Sequence, residues 1–204
     1  MAACATGLWC LAHGYEWIRT GRCDRILAGA VEAPITPLTL AGFEKMGALA
    51  QHGCYPFDSQ RQGLVLGEGA AMLVLESAEV AQRRQAPIYG QLLGVGITAD
   101  GYHVSAPDPA QRSRHTALAT CLQRSQLCPD QVDWIHAHGT STRLNDQTEA
   151  QLLQQCFPHR PAITSTKGAT GHTLGASGAI GVALSLLARP PDPAPLRGPT
   201  AARL

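Results

Sequence analysis

Apolar positions along the first eighty residues change period several times. Leu8, Leu11, Ala12, Tyr15 and Ile18 recur at helical spacing within residues 5–19, and Thr20-Gly21 follows as a stop, so a helix is expected there. RILAGAV, residues 25–31, is a short apolar run bounded by turn residues and reads as a buried strand; residues 39–50 return to a helical pattern. GLVLGEGAAMLVLE, residues 63–76, splits into two apolar runs about Gly67-Glu68-Gly69, which predicts a strand pair or a strand with a tight glycine corner, the hairpin being the preferred reading. A polar helix over 77–84, a long strand over 88–100 with three glycines, and a helix over 109–126 are expected next. VDWIHA, residues 132–137, predicts a strand opening into the polar loop HGTSTRLND, followed by a helix from Gln147 to Cys156 with Asp146 near its cap. AITST, residues 162–166, is a further strand, and residues 176–187 are apolar almost all round, so that helix is expected to be buried.

Strands alternating with helices, several of the strands apolar throughout, imply an α/β architecture with covered sheets. Residues 190–204 are Pro-rich, show neither period and read as an extended tail. Across 204 residues, 45% hydrophobic against 15% charged excludes a disordered, highly charged chain. The net charge is +1 without any block of like charge, so nucleic acid is not an expected partner. No apolar run approaches the roughly 20 residues of a spanning helix, and membrane insertion is not expected. The N-terminal twenty residues lack a basic leader, and His13 and Glu16 interrupt their apolar stretch, which argues against a secretory signal. Seven cysteines without a CxxC pair fit a reducing, cytoplasmic compartment.

Three stretches place reactive side chains in loops beside strand or helix ends. In ACATG, residues 3–7, Cys4 stands at the mouth of a helix, where unsatisfied amides favour a thiolate and can hold an oxyanion. Position alone favours the plainer reading, a small residue near the start of the chain. In HAHGTSTRLNDQTEA, residues 136–150, His138 lies just past a strand end, with Thr140, Ser141 and Thr142 offering hydroxyls to a polar substrate. His136 and His138 share a face and form a minor zinc option, without a nearby thiol or carboxylate pair at ligand spacing; no metal is expected. In STKGATGHTLGASGA, residues 165–179, Lys167 and His172 lie among glycines in a chain whose only other lysine is Lys45. The remaining cysteines read as buried small hydrophobes, His136 as a satisfied strand histidine, and the tryptophans as packing residues.

One cysteine and two histidines in separate glycine-flanked loops form a covalent-catalysis set. The order ACATG, GLVLGEGA, AHGTSTRLNDQTEA, STKGATGHTLGASGA resembles the β-ketoacyl-acyl-carrier-protein synthases of elongating type, over most of residues 3–188. The resemblance implies a partial thiolase-like fold, layered αβαβα with mixed sheets and buried helices. It divides the chain into the remainder of an N-terminal half, 1–85, an incomplete C-terminal half, 86–189, and the tail, 190–204. It implies an acyltransferase in fatty acid or polyketide biosynthesis, with Cys4 as nucleophile and His138 and His172 assisting decarboxylation and holding the enolate. Lys167 and Glu149, with Asp146, would order the site, and Thr140 and Thr142 would bind the phosphopantetheine arm. The implied partners are acyl carrier protein, acyl and malonyl thioesters and a second copy in a homodimer. No cofactor beyond the carrier's phosphopantetheine is expected. A thiolase would use a second cysteine as base and an initiating synthase an asparagine for the second histidine, while non-catalytic chain-length partners lack the nucleophile. With three residues before Cys4 and without the family's closing glycine-rich loop, the chain is expected to be truncated at both ends. An inactive remnant or a non-catalytic partner of a full-length synthase is the alternative.

Overall fold

A computed structural model describes residues 2–188 and 202–203. The chain forms two compact units that interleave in sequence. One draws on residues 1–33, 69–93 and 173–204, the other on 34–68 and 94–172.

In the first unit, helix α1 (Thr6–Arg19) follows a 3-10 turn at Ala3–Ala5, and strand β1 (Arg25–Glu32) comes next. Strand β2 (Gly69–Glu76) pairs antiparallel with β1 along its whole length, from Arg25 opposite Glu76 to Glu32 opposite Gly69. Helix α3 (Ala78–Arg83) is capped by Ser77, whose hydroxyl accepts from Val80 N–H. Leu11, Ala12, Tyr15 and Ile18 on α1 are buried, as are Ala28 and Leu75 of the strand pair. Four positions of the expected helical period therefore pack, while Leu8 is 51% exposed, and β1, expected to be buried, leaves Leu27 and Val31 exposed.

The predicted hairpin at Gly67-Glu68-Gly69 does not form. Eight-residue β1 offers β2 a complete ladder, whereas Leu64 and Leu66 make only isolated bridges, to Leu49 and His172 in the second unit. The long strand expected over 88–100 is also reduced, to β3 (Gln91–Leu92), paired with β6 (Ala202–Arg203). Its later part belongs to the second unit, where a Cβ on Gly96 would stand 1.9 Å from Ala117 O on the following helix. Glycine there lets backbone cross a helix, not a neighbouring strand. The tail expected over 190–204 lies outside the described residues apart from Ala202 and Arg203.

Helix α7 (Ser177–Ala188) buries Ser177, Ala179 and Gly181 against α1, while Leu187 is exposed, so its burial is confined to the N-terminal part. A Cβ on Gly7 would lie 2.5 Å from Ala179 N and 3.1 Å from Gly175 O. Backbone cannot yield as a side chain does, so Gly7→Ala is expected to destabilise the unit by about 1–3 kcal/mol despite the better helix propensity of alanine. Urea unfolding of the variant checks this; a gain in stability would show that α1 and α7 are not in such close contact.

The second unit holds α2 (Pro37–Lys45), α4 (Arg112–Ser125), α5 (Arg143–Cys156) and the short α6 (Lys167–Thr170). Its strands β4 (Trp134–His136) and β5 (Ala162–Thr164) run parallel, His136 opposite Thr164. Helix α2 stops five residues short of the expected end, its last turn closing on Gly47 at φ +65°. Ala137, Leu153 and Phe157 form a buried cluster with Leu118, Leu122 and Ile135 packed against it. That cluster joins α4 and α5 to the strand pair and fixes where β4 ends.

Candidate active site

The site of the second unit is built where β4 and β5 stop. Ala137 N–H continues the ladder to Thr164 O at 2.8 Å, and the chain then breaks into the loop carrying His138. Two flanking groups hold that loop by its backbone. Glu149 on α5 accepts His138 N–H at 2.7 Å and Gly139 N–H at 2.8 Å, one on each carboxylate oxygen. Lys167 donates from Nζ to His138 O at 2.5 Å. The peptide groups on both sides of the His138 Cα are thus gripped by opposite charges, which sets the direction in which its side chain leaves the backbone.

His172 arrives from the other glycine-rich stretch. It pairs as a bridge with Leu66, its N–H donating to Val65 O at 2.7 Å and its carbonyl accepting Gly67 N–H at 3.1 Å. Its ring meets that of His138 edge to face, centroids 5.4 Å apart and planes at 84°. Only 2% of His172 and 4% of Lys167 is exposed, whereas His138 lies open at one side. Burial, and after it the Lys167 ammonium, pushes the His172 imidazole down to about 4. His138 moves the same way through desolvation first, then Lys167, His172 and Arg114, tempered by its open side. Both rings are consequently neutral at physiological pH, each with one N–H to give.

Asp146 is a buried hub with 1% exposure. One carboxylate oxygen accepts Phe57 N–H at 2.7 Å, and Ser141 N–H lies 3.1 Å from each oxygen. Arg61 stands 3.7 Å away. Helix α5 begins at Arg143, four residues before the expected Gln147, with Thr142 as its cap and Asp146 in its first turn, Asp146 N–H donating to Thr142 O at 3.2 Å. Ser141 is fully buried at φ +69°, and its hydroxyl accepts Tyr55 N–H at 2.9 Å. It is therefore not offered to a substrate, as the loop sequence had suggested. Thr140 is buried with its hydroxyl 2.8 Å from that of half-buried Thr142. Tyr55, Phe57 and Arg61 carried no motif signal; Phe57 and Arg61 bring a backbone N–H and a guanidinium to Asp146, and Tyr55 a backbone N–H to Ser141, only through the fold.

In the first unit, half-buried Cys4 sits in the turn that opens α1. Thr6 ties this turn, its hydroxyl donating to Ala3 O at 2.7 Å and accepting Ala2 N–H at 2.9 Å. Burial raises the thiols of Cys54, Cys121 and Cys156, which keeps them protonated and unreactive. No disulfide joins the described cysteines. His136 Nε2 faces the Thr166 hydroxyl at 3.1 Å, as a satisfied strand histidine would.

This α/β arrangement is a thiolase-like fold. Solved structures aligned to it include "The ishigamide ketosynthase/chain length factor", at TM-score 0.87 and 34% identity over 92% of this chain and 46% of that one. A type II polyketide acyl-carrier protein in complex with its hexaketide-bound ketosynthase matches equally, at TM-score 0.87 and 34% identity over 94% and 52%. Residues 1–81 match the family model described as "Beta-ketoacyl synthase, N-terminal domain" and residues 89–189 that of the C-terminal domain. The chain belongs to the β-ketoacyl synthase family. It is 39% identical to 3-oxoacyl-[acyl-carrier-protein] synthase 2 of Synechocystis sp., over 96% of this chain and 49% of that protein. It spans about half the length of the curated relatives it matches.

Proposed function

We propose that this chain takes part in the decarboxylative condensation of an acyl thioester with a malonyl thioester, as a β-ketoacyl-ACP synthase of fatty acid or polyketide biosynthesis. The observation that carries the proposal is the pair of neutral imidazoles, His138 and His172, set edge to face 5.4 Å apart. In the proposed reaction the Cys4 thiolate attacks an acyl thioester, the carrier thiol leaves, and an acyl-cysteine remains. The carbon–carbon bond to the malonyl carboxylate then breaks, releasing carbon dioxide and leaving its electron pair on an enolate. The imidazole N–H groups of His138 and His172 hold the enolate oxygen, which is where the charge develops. The enolate carbon attacks the acyl carbonyl, and the carbon–sulfur bond to Cys4 breaks to return the thiolate.

Lys167 and Glu149 serve this chemistry by fixing the His138 peptide, and Asp146 by bracing the loop before α5. Acyl carrier protein is the proposed partner, as in the relative solved with its carrier, and Thr140 and Thr142 are the proposed contacts of the phosphopantetheine arm. The cofactor proposal is that phosphopantetheine comes only with the carrier and that the chain has none of its own. A homodimer is proposed from the family. No helix among the described residues is long and apolar enough to cross a membrane. A cytoplasmic location is proposed from the cysteine usage.

The test is covalent labelling of the purified chain by a radiolabelled acyl thioester. Label on the wild type that falls to background in Cys4→Ala is expected. A folded wild type that takes no label would overturn the catalytic reading for this chain. The alternative would then stand: an inactive remnant or a non-catalytic partner of a full-length synthase.

A further inference from the structure

We propose that Arg114 is a positioning residue for the His138 peptide, acting through the Asn145 amide and the Glu149 carboxylate. Arg114 is half-buried on α4, outside every motif that marked the site in sequence. Its guanidinium donates to Thr148 Oγ1 at 3.0 Å and to Asn145 Oδ1 at 3.3 Å, both on α5. A guanidinium only donates, so the Asn145 atom that faces it has to be the oxygen. With its oxygen committed, Asn145 turns Nδ2 to the carboxylates, 3.1 Å from Asp146 Oδ1 and 3.2 Å from Glu149 Oε2. Glu149 in turn holds His138 N–H and Gly139 N–H. The relay is therefore Arg114, Asn145, Glu149, His138.

Removing Arg114 frees the Asn145 amide to rotate. Rotated, it would set its oxygen against two carboxylates, and Glu149 would lose a donor that keeps it under the His138 loop. Arg114 also adds to the field that disfavours a charged His138, third after Lys167 and His172 among the nearby charges. The consequence of the relay for turnover rests on the synthase reading; its consequence for the His138 and Gly139 amides does not.

Amide hydrogen exchange by NMR on the full chain separates the two. Arg114→Met is expected to speed exchange of the His138 and Gly139 amides about tenfold, the loss of roughly one hydrogen bond's worth of protection. The Ala137 amide, held by Thr164 O in the strand ladder, stays unchanged. Asn145→Ala gives the same increase, and the double variant no more than either single one, because both act along one relay. Thr148→Val removes the other partner of Arg114 and leaves both amides as they were. If Arg114→Met unfolds the loop so that Ala137 exchanges too, Arg114→Lys decides: a smaller rise at His138 and Gly139 with Ala137 unchanged supports the relay, and none overturns it. Unchanged amides in a folded Arg114→Met, an additive double variant, or an equal effect of Thr148→Val would each overturn it. Malonyl-thioester decarboxylation is measured in parallel. Activity in the wild type that falls about tenfold in kcat at constant KM in Arg114→Met is the expected result. A wild type without decarboxylation would sink the synthase reading while leaving the amide result to judge the relay.

Discussion

Asp146→Ala is expected to lower the stability of the chain by about 3–5 kcal/mol, the range for stripping one member from a buried charged network. The substitution removes the acceptor of Phe57 N–H and of Ser141 N–H, the latter on a residue with 0% exposure. An N–H left buried without an acceptor costs about 1–3 kcal/mol. The Arg61 guanidinium, whose side chain is 16% exposed, loses its carboxylate as well. Ser141 at φ +69° adds strain that the Asp146 contacts now hold in place, and without them that residue relaxes. Asp146→Asn keeps one oxygen acceptor and is expected to lose less, about 1–3 kcal/mol. Chemical denaturation of the three proteins orders them, and hydrogen exchange at Phe57 locates the loss. A cost below about 1 kcal/mol for Asp146→Ala would mean that solvent reaches these amides.

The contrast between what was legible in the sequence and what was not follows from the range of the contacts. Helices α1 and α4 were readable because apolar residues recur at helical spacing, α7 because it is apolar almost all round, and β1, β4 and β5 because each is a short apolar run bounded by turn residues. His138, Lys167 and His172 were readable because glycine and hydroxyl residues around them form dense local motifs. Asp146 was readable there too, but its contacts were not, since its bond to Phe57 spans 89 residues of sequence and ends on a backbone N–H that every residue except proline has. Lys167 was expected to act with Glu149, but the detail is that each takes a different atom of one peptide group or its neighbour, 29 and 11 residues away. The hairpin failed for a related reason: two apolar runs about a glycine corner look alike whether they pair with each other or with separate partners. Here β1 had already supplied the better ladder.

Acid is expected to destabilise the fold through His172 before most carboxylates titrate. The imidazole is held at about 4 in the folded chain against about 6.5 when unfolded, so between these values the unfolded state binds more protons. Stability is then fully present above pH 6.5 and falls as pH drops towards 4. The gap corresponds to about 3 kcal/mol, and His172 is buried enough for most of it to be felt. His138 adds in the same direction, reduced by its exposure. Denaturant unfolding from pH 8 to pH 4 is expected to show this slope, and His172→Gln, which has no proton to take up, to flatten it. Lys167→Met weakens the second cause of the depression, so the His172 value rises and the slope shrinks without vanishing, because burial is the larger cause. A wild-type profile flat from pH 6.5 to 4 would show that the ring is charged in the fold. In that case the neutral N–H pair on which the enolate-holding role rests would not exist at the lower end of that range.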